Sequence, residues 1–174
     1  GSNEAQGMEL AVDHLYSRGC RRIGCIIHGK PGTGNADLRC AALRESLKKR
    51  NLAYSETFIR FADDEEYLEI IGQLLKQYID SLFCPGGSGG IIASYALSLF
   101  ERKIPEDISL IASEQIFYSR YATPPQTTVT QDYSAVASTV AEVIETRLRN
   151  EKVPPETVLP YLLLSRGSVR NHPV

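Results

Sequence analysis

The sequence predicts an α/β fold: a doubly wound, mostly parallel sheet with helices on both faces. Three observations predict it. Short apolar runs, such as Ile23–Ile27, Ser81–Cys84 and Ile108–Ala112, have the composition of strands covered on both faces. Segments with helical apolar spacing separate them. Glycine-rich or polar residues follow several of the runs, where the carboxyl end of a strand feeds the next helix.

The first element is an amphipathic helix over Gln6–Arg18, with Met8, Ala11, Val12, Leu15 and Tyr16 on one face and Gly19 as its stop. His14 lies on or near that face and reads as a structural imidazole. A strand through Ile27 leads into His28-Gly29-Lys30-Pro31-Gly32-Thr33-Gly34-Asn35, then a helix from Ala36 or Asp37 that buries Cys40, Leu43 and Leu47. The loop has the G-x-x-x-x-G frame of a phosphate-binding loop. Asn35 and Ala36 stand where that motif needs Lys and Ser or Thr, so a nucleoside triphosphate site is not expected. Arg39, just inside the helix, can direct a fork of donors toward the strand end.

Thr57–Phe61 forms a short strand. Asp63, Asp64, Glu65 and Glu66 open the next helix, where negative charge is stabilising. Tyr67, Ile70, Ile71, Leu74, Leu75 and Tyr78 make its buried stripe. After the strand Ser81–Cys84 comes a flexible loop, Pro85-Gly86-Gly87-Ser88-Gly89-Gly90. Ile92, Tyr95, Ala96 and Leu99 mark a helix, and Ile108–Ala112 a strand followed by Glu114 and Gln115. The alternation then breaks. Thr127–Gln131 is extended, and Asp132 caps a helix with Val136, Val140, Val143, Ile144 and Leu148 on one face. Pro154-Pro155 ends the turn after it, Val158–Leu164 is an apolar strand, and a polar tail starts at Arg166.

Composition narrows the function classes. The chain has 174 residues, 43% of them hydrophobic, and a formal net charge of -2, which does not suit gripping nucleic acid by phosphate neutralisation. No apolar run is long enough to span a bilayer. Cys20, Cys25, Cys40 and Cys84 lack metal-ligand spacing and read as buried free thiols in a reducing compartment. No cofactor or metal is expected. No nucleophile–base pair stands out, and Ser88 is not set in G-x-S-x-G, so catalysis is not expected.

Phrases spread across nearly the whole chain resemble the lactose-repressor-type (LacI/GalR) transcriptional regulators. Leu10–Leu15 with Gly19–Ile23 is similar to the family's "A-x-x-H-L…G-H-R-x-I". Arg39 with Leu43 is similar to its "R-x-x-G-F", with Ala42 for the usual Gly. Ile104-Pro105-Glu106-Asp107-Ile108-Ser109 resembles "V-P-E-D-I-S". Pro124–Asp132 resembles "P-x-L-T-T-V-x-Q-D", and Ser165–Ser168 the closing "R-x-S".

The resemblance implies a periplasmic-binding-protein-like type I core that senses a small molecule, commonly a sugar or nucleoside, and controls DNA binding by a separate helix-turn-helix domain. It implies that 3–125 form the C-terminal subdomain of that core. Residues 126–151 would be a crossover segment and helix belonging to the N-terminal subdomain, and 152–174 a return strand and tail. Implied ligand positions are Asn35, Arg39, Phe61, Gly86, Gly87, Glu114 and Gln131. Gly86-Gly87 replaces the family's "N-D", and Glu114-Gln115 its "D-D". The two glycines remove sugar-hydroxyl acceptors and enlarge the pocket, which also suits a larger or more acidic effector paired with Arg39. The resemblance further implies a cytoplasmic homodimer, with Ile91, Tyr95 and the Tyr118–Ala122 segment at the dimer surface. Operator DNA would be met only through the helix-turn-helix domain. A solute-binding protein of a sugar transport system is the alternative on the same fold. The helix after Asp132 is expected to fold back, swap or pair with another chain, because its apolar face would otherwise be exposed.

Overall fold

The structure is a computed structural model, and it describes residues 3–153 and 158–171. A six-stranded sheet runs in the order β2-β1-β3-β4-β5-β6. Its strands are β1 (Ile23–His28), β2 (Ile59–Ala62), β3 (Ser81–Cys84), β4 (Ser109–Ser113), β5 (Thr127–Gln131) and β6 (Tyr161–Leu164). Strands β1 to β5 pair in parallel, and β6 lies antiparallel on β5, with Gln131 opposite Tyr161. The helices are α1 (Glu4–Ser17), α2 (Gly34–Lys49), α3 (Tyr67–Leu75), α4 (Gly89–Leu99) and α5 (Tyr133–Leu148).

Two apolar layers sandwich the sheet, and strand alternation sorts the residues between them. Cys25, Ile27, Phe83, Ile111 and Val129 face α1 and α2, meeting Met8, Leu15, Leu43 and Leu47. Ile26, Leu82, Cys84 and Leu110 face α3 and α4, meeting Tyr67, Ile71, Leu74, Ala93 and Leu97. All four cysteines are buried free thiols. Burial pushes the thiols of Cys25 and Cys84 well above the ordinary thiol range, so both behave as small apolar side chains.

Close packing fixes the small residues of α4. A Cβ on Gly90 would come within 2.6 Å of Ala112 Cβ and of Gln126 Oε1, so this helix lies directly against β4. Its buried face is therefore Ala93, Ala96 and Leu97, while Tyr95 and Leu99 turn outward. The helix expected from Ile92, Tyr95, Ala96 and Leu99 is thus present. Helix α3 ends at Leu75, and Tyr78, expected in its buried stripe, takes a positive φ of 56° and stands 81% exposed. The acidic run does open α3 as expected: a short 3-10 turn over Asp64–Glu66 carries a capping box between Asp63 and Glu66.

The last segment differs most from its reading as a polar tail. Ser168 is fully buried, accepts from Thr127 N at 2.7 Å and donates to Leu110 O at 2.5 Å. The backbone adds a second link, with Leu110 N donating to Ser168 O at 2.8 Å. Arg170 reaches Asp80 O at 2.9 Å, and Val169 joins the α1–α2 core. Polar side chains here stitch the segment to the ends of β4 and β5.

Helix α5 is capped as expected, with Asp132 Oδ1 accepting from Ser134 N and Ala135 N at 3.0 Å each. It buries no residue, and Val140, Ile144 and Leu148 are exposed. Within this chain it does not fold back over the sheet. Strand β6 is shorter than the expected Val158–Leu164, and the Pro154-Pro155 turn lies outside the described residues.

Candidate functional site

The carboxyl ends of β1, β3, β4 and β5 lie side by side along one edge of the sheet. The loop after β3 is the floor there. Its Gly86 and Gly87 have φ of +88° and +55°, values that glycine adopts without steric cost. The absence of side chains matters as much as the dihedrals. A Cβ on Gly86 would fall on Arg39 Nη1, and one on Gly87 would stand 2.7 Å from the His28 ring. The glycine pair thus lets a guanidinium and an imidazole lie directly on the loop. Ser113 Oγ accepts from Gly86 N at 2.7 Å, and Gln115 Nε2 donates to Gly87 O at 2.8 Å, which fixes the loop against the end of β4.

Arg39 is held from behind. Its Nε donates to Glu4 Oε2 at 2.7 Å, and Tyr161 Oη donates to Glu4 Oε1 at 3.0 Å. Glu4 is buried at the start of α1, Arg39 comes from the second turn of α2 and Tyr161 from β6, so three distant segments meet. Burial, and then the neighbouring Glu4 charge, raise the Tyr161 pKa, keeping this phenol a hydrogen-bond donor. A small hollow of about 130 Å³ adjoins Tyr161, lined also by Ser113, Glu114, Thr130, Gln131 and Tyr133.

His28 ends β1. Its Nδ1 is buried and lies 3.4 Å from Asp64 Oδ1, close enough for electrostatic attraction but without hydrogen-bond geometry. Lys30 pairs with Asp63 at 3.1 Å across the neighbouring loop, away from the glycine floor.

Five of the seven expected ligand positions gather at this floor and hollow: Arg39, Gly86, Gly87, Glu114 and Gln131. Glu114 lines the same hollow, but its carboxylate is only 8% exposed and is engaged by Arg166 in two bonds, Nη1–Oε2 at 2.9 Å and Nη2–Oε1 at 3.0 Å. Thr128 Oγ1 also donates to it. Burial works to raise its pKa, yet the Arg166 and Thr128 bonds outweigh that and hold the carboxyl below its usual range. Asn35 is exposed on the first turn of α2. Phe61 lies on the far side of β1, on edge strand β2, where it lines a separate hollow of about 610 Å³ with Pro31, Asp37, Cys40 and Arg44. A hollow of about 700 Å³ between Glu69, Gly72, Phe100 and Arg102 is larger, but it sits at the helix ends away from this edge.

Sequence reasoning missed His28, Glu4, Ser113 and Tyr161. His28 had a readable signal, as the last residue of a strand before a glycine. Glu4 and Tyr161 had none, because 157 positions separate the two ends of their bond.

The family model for the periplasmic binding protein-like domain matches residues 12–169. The chain belongs to the periplasmic binding protein-like domain family. The HTH-type transcriptional repressor PurR of Escherichia coli O1:K1 / APEC is 26% identical over 176 aligned residues, covering 98% of this chain and 51% of the repressor. The chain therefore spans about half the length of the curated relatives it matches. The E. coli transcriptional repressor ascG superposes with a TM-score of 0.85 at 20% identity, covering 98% of this chain and 63% of that one. A transcriptional regulator CelR–cellobiose complex gives a TM-score of 0.77 at 25% identity, covering 95% and 52%. The domain match and the repressor relatives support the LacI/GalR resemblance carried by the phrases along the sequence. The curated relative named here is an HTH-type transcriptional repressor. No described helix is long and apolar enough to cross a membrane.

Proposed function

We propose that this domain is the effector-binding and dimerisation part of a bacterial transcriptional regulator. It binds a small molecule, a sugar or related metabolite, at the carboxyl edge of the sheet. It thereby controls DNA binding by a helix-turn-helix module outside this chain, in the cytoplasm and without catalysis. The observation that carries the reading is Arg39, propped by buried Glu4 over the Gly86-Gly87 floor in a fold of this family. Gln131 adds to the effector contacts at this edge, while Asn35 and Phe61, expected there too, stand outside the floor and its hollow. Glu114 acts there through Arg166, which it holds in place.

In this reading residues 3–125 form one subdomain of the core. Residues 126–151 are a crossover and a helix that belongs with the other subdomain, and 152–174 return the chain. The bare apolar face of α5 supports that division. Two copies pair through a surface that includes Ile91, Tyr95 and the Tyr118–Ala122 segment. Tyr95 (63% exposed) and the exposed Tyr121 support this, and Ile116 and Phe117 (93%), just before the segment, are exposed as well.

The test is a DNA-binding titration of the full natural protein with and without metabolites. A metabolite that changes operator affinity at least ten-fold, with the response lost in a folded Arg39→Gln, Glu4→Gln double variant, supports the proposal. A natural protein that carries an export signal and binds a sugar but no DNA overturns it in favour of a solute-binding protein of a transporter.

A further inference from the structure

We propose that the effector of this site carries an oxyanion, a phosphate monoester or a carboxylate, seated between the Arg39 guanidinium and the backbone N–H groups that open α4. This rests on the effector-sensing reading and narrows its ligand class.

The first observation is the balance of donors and acceptors along the edge. Every carboxylate near the floor already faces a cation or donors of the chain. Glu4 takes Arg39 and Tyr161, Glu114 takes Arg166 and Thr128, Asp63 takes Lys30, and Asp64 faces His28. Most of the unmatched groups are donors; Gln126 Oε1, beside Gly90, is a buried acceptor without a partner among the described residues. Arg39 uses only Nε on a protein acceptor, leaving both terminal nitrogens without one among the described residues. The backbone N–H groups of Gly87, Ser88, Gly89 and Gly90 also have no protein acceptor there, and Ser88 supplies no side-chain cap. A neutral polyol offers hydroxyls that must donate as well as accept. An oxyanion only accepts, which is what these groups require.

The second observation is independent of the helix terminus. Tyr67 is fully buried beneath the loop, and its hydroxyl has no hydrogen-bond partner. That oxygen lies 2.8 Å from where a Cβ on Gly89 would stand, so an unmatched O–H is aimed at the first turn of α4. A third is steric. Glycine at 86 and 87 is what allows Arg39 Nη1 and the His28 ring to approach this turn, since any side chain would occupy their places. The positive end of the α4 dipole adds to the field at the same point.

The experiment is calorimetric titration of the full natural protein with glucose 6-phosphate, gluconate and a nucleoside monophosphate. Glucose and the free nucleoside form the neutral arm, and inorganic phosphate is the competitor. Because Arg39→Gln alone strands the buried Glu4 carboxylate, it is paired with Glu4→Gln in a double variant whose fold is checked by circular dichroism. An anionic ligand at least ten-fold tighter than its neutral parent, displaced by inorganic phosphate and weakened at least thirty-fold in the folded double variant, supports the proposal. Equal binding of a neutral parent, indifferent to phosphate, overturns it and leaves effector sensing intact. Anion binding unchanged in the double variant means an adventitious ion only and also overturns it. Failure of both arms, with operator affinity unmoved by any metabolite, brings down the effector-sensing reading together with the oxyanion.

Discussion

Glu114 illustrates how a residue at a ligand-facing position becomes structural. Its carboxylate and the Arg166 guanidinium are 8% and 16% exposed, and two parallel bonds join them. Arg166 also donates to Gln126 O at 2.7 Å, so the pair anchors the last segment to β5. Removing one charge of such a pair leaves the other buried and uncompensated. Glu114→Gln is expected to cost about 3 kcal/mol and to lower the melting temperature by roughly 6–12 °C for a domain of this size. Differential scanning calorimetry measures it, and an unchanged melting temperature would contradict the ion pair as drawn. Arg39 and Glu4 follow the same logic with the opposite emphasis: the carboxylate is hidden, and the cation keeps its free face toward the floor.

At the scale of the element, α5 is the unusual one. The other helices each bury a face, while α5 buries none and relies on its Asp132 cap and its own backbone bonds. Its exposed Val140 and Ile144 contribute little to this chain's stability. Val140→Lys with Ile144→Lys is expected to change unfolding free energy by less than about 0.5 kcal/mol, read by urea denaturation. The same pair should abolish any self-association that runs through this face, read by sedimentation. A large loss of stability would show that α5 packs on this chain in solution. The final segment is the converse: short, polar and without regular structure, yet buried Ser168 bridges Thr127 and Leu110.

For the whole molecule, three groups set a common pH trend. Glu9, bonded to Arg50, and Glu114, where the Arg166 bonds outweigh burial, both have carboxyl pKa values below the ordinary 4.5. Depressed carboxylates contribute stability that is present above about pH 4.5 and is lost as the pH falls through their folded values. His14 has its pKa pushed below 6.5 by burial first and by Arg18 second. Folding therefore opposes its protonation, and that contribution is present above pH 6.5 and is lost on acidification. All three signs agree. The melting temperature should be flat above about pH 7 and fall in two stages, below about 6.5 and again below about 4.5. Melting curves between pH 3 and 8 read the trend, and a rise on acidification from 7 to 4 would contradict it.

The sequence by itself determined the fold class, the order of strands and helices up to β4, the acidic start of α3, the cap at Asp132, and the family. These are local or periodic properties: apolar spacing, chain direction and the residues that end helices are all written within a few positions of one another. It also marked Arg39 and the glycine pair, because a loop after a parallel strand is read from that local order. Only the tertiary structure decided which side chains meet. Ala93, Ala96 and Leu97 form the buried face of α4 because the Gly90 backbone takes the close approach to β4. Glu4 props Arg39, and Arg166 claims Glu114, across separations of 35 and 52 positions. Such pairings depend on how the sheet brings remote segments together, and no window along the chain contains both partners.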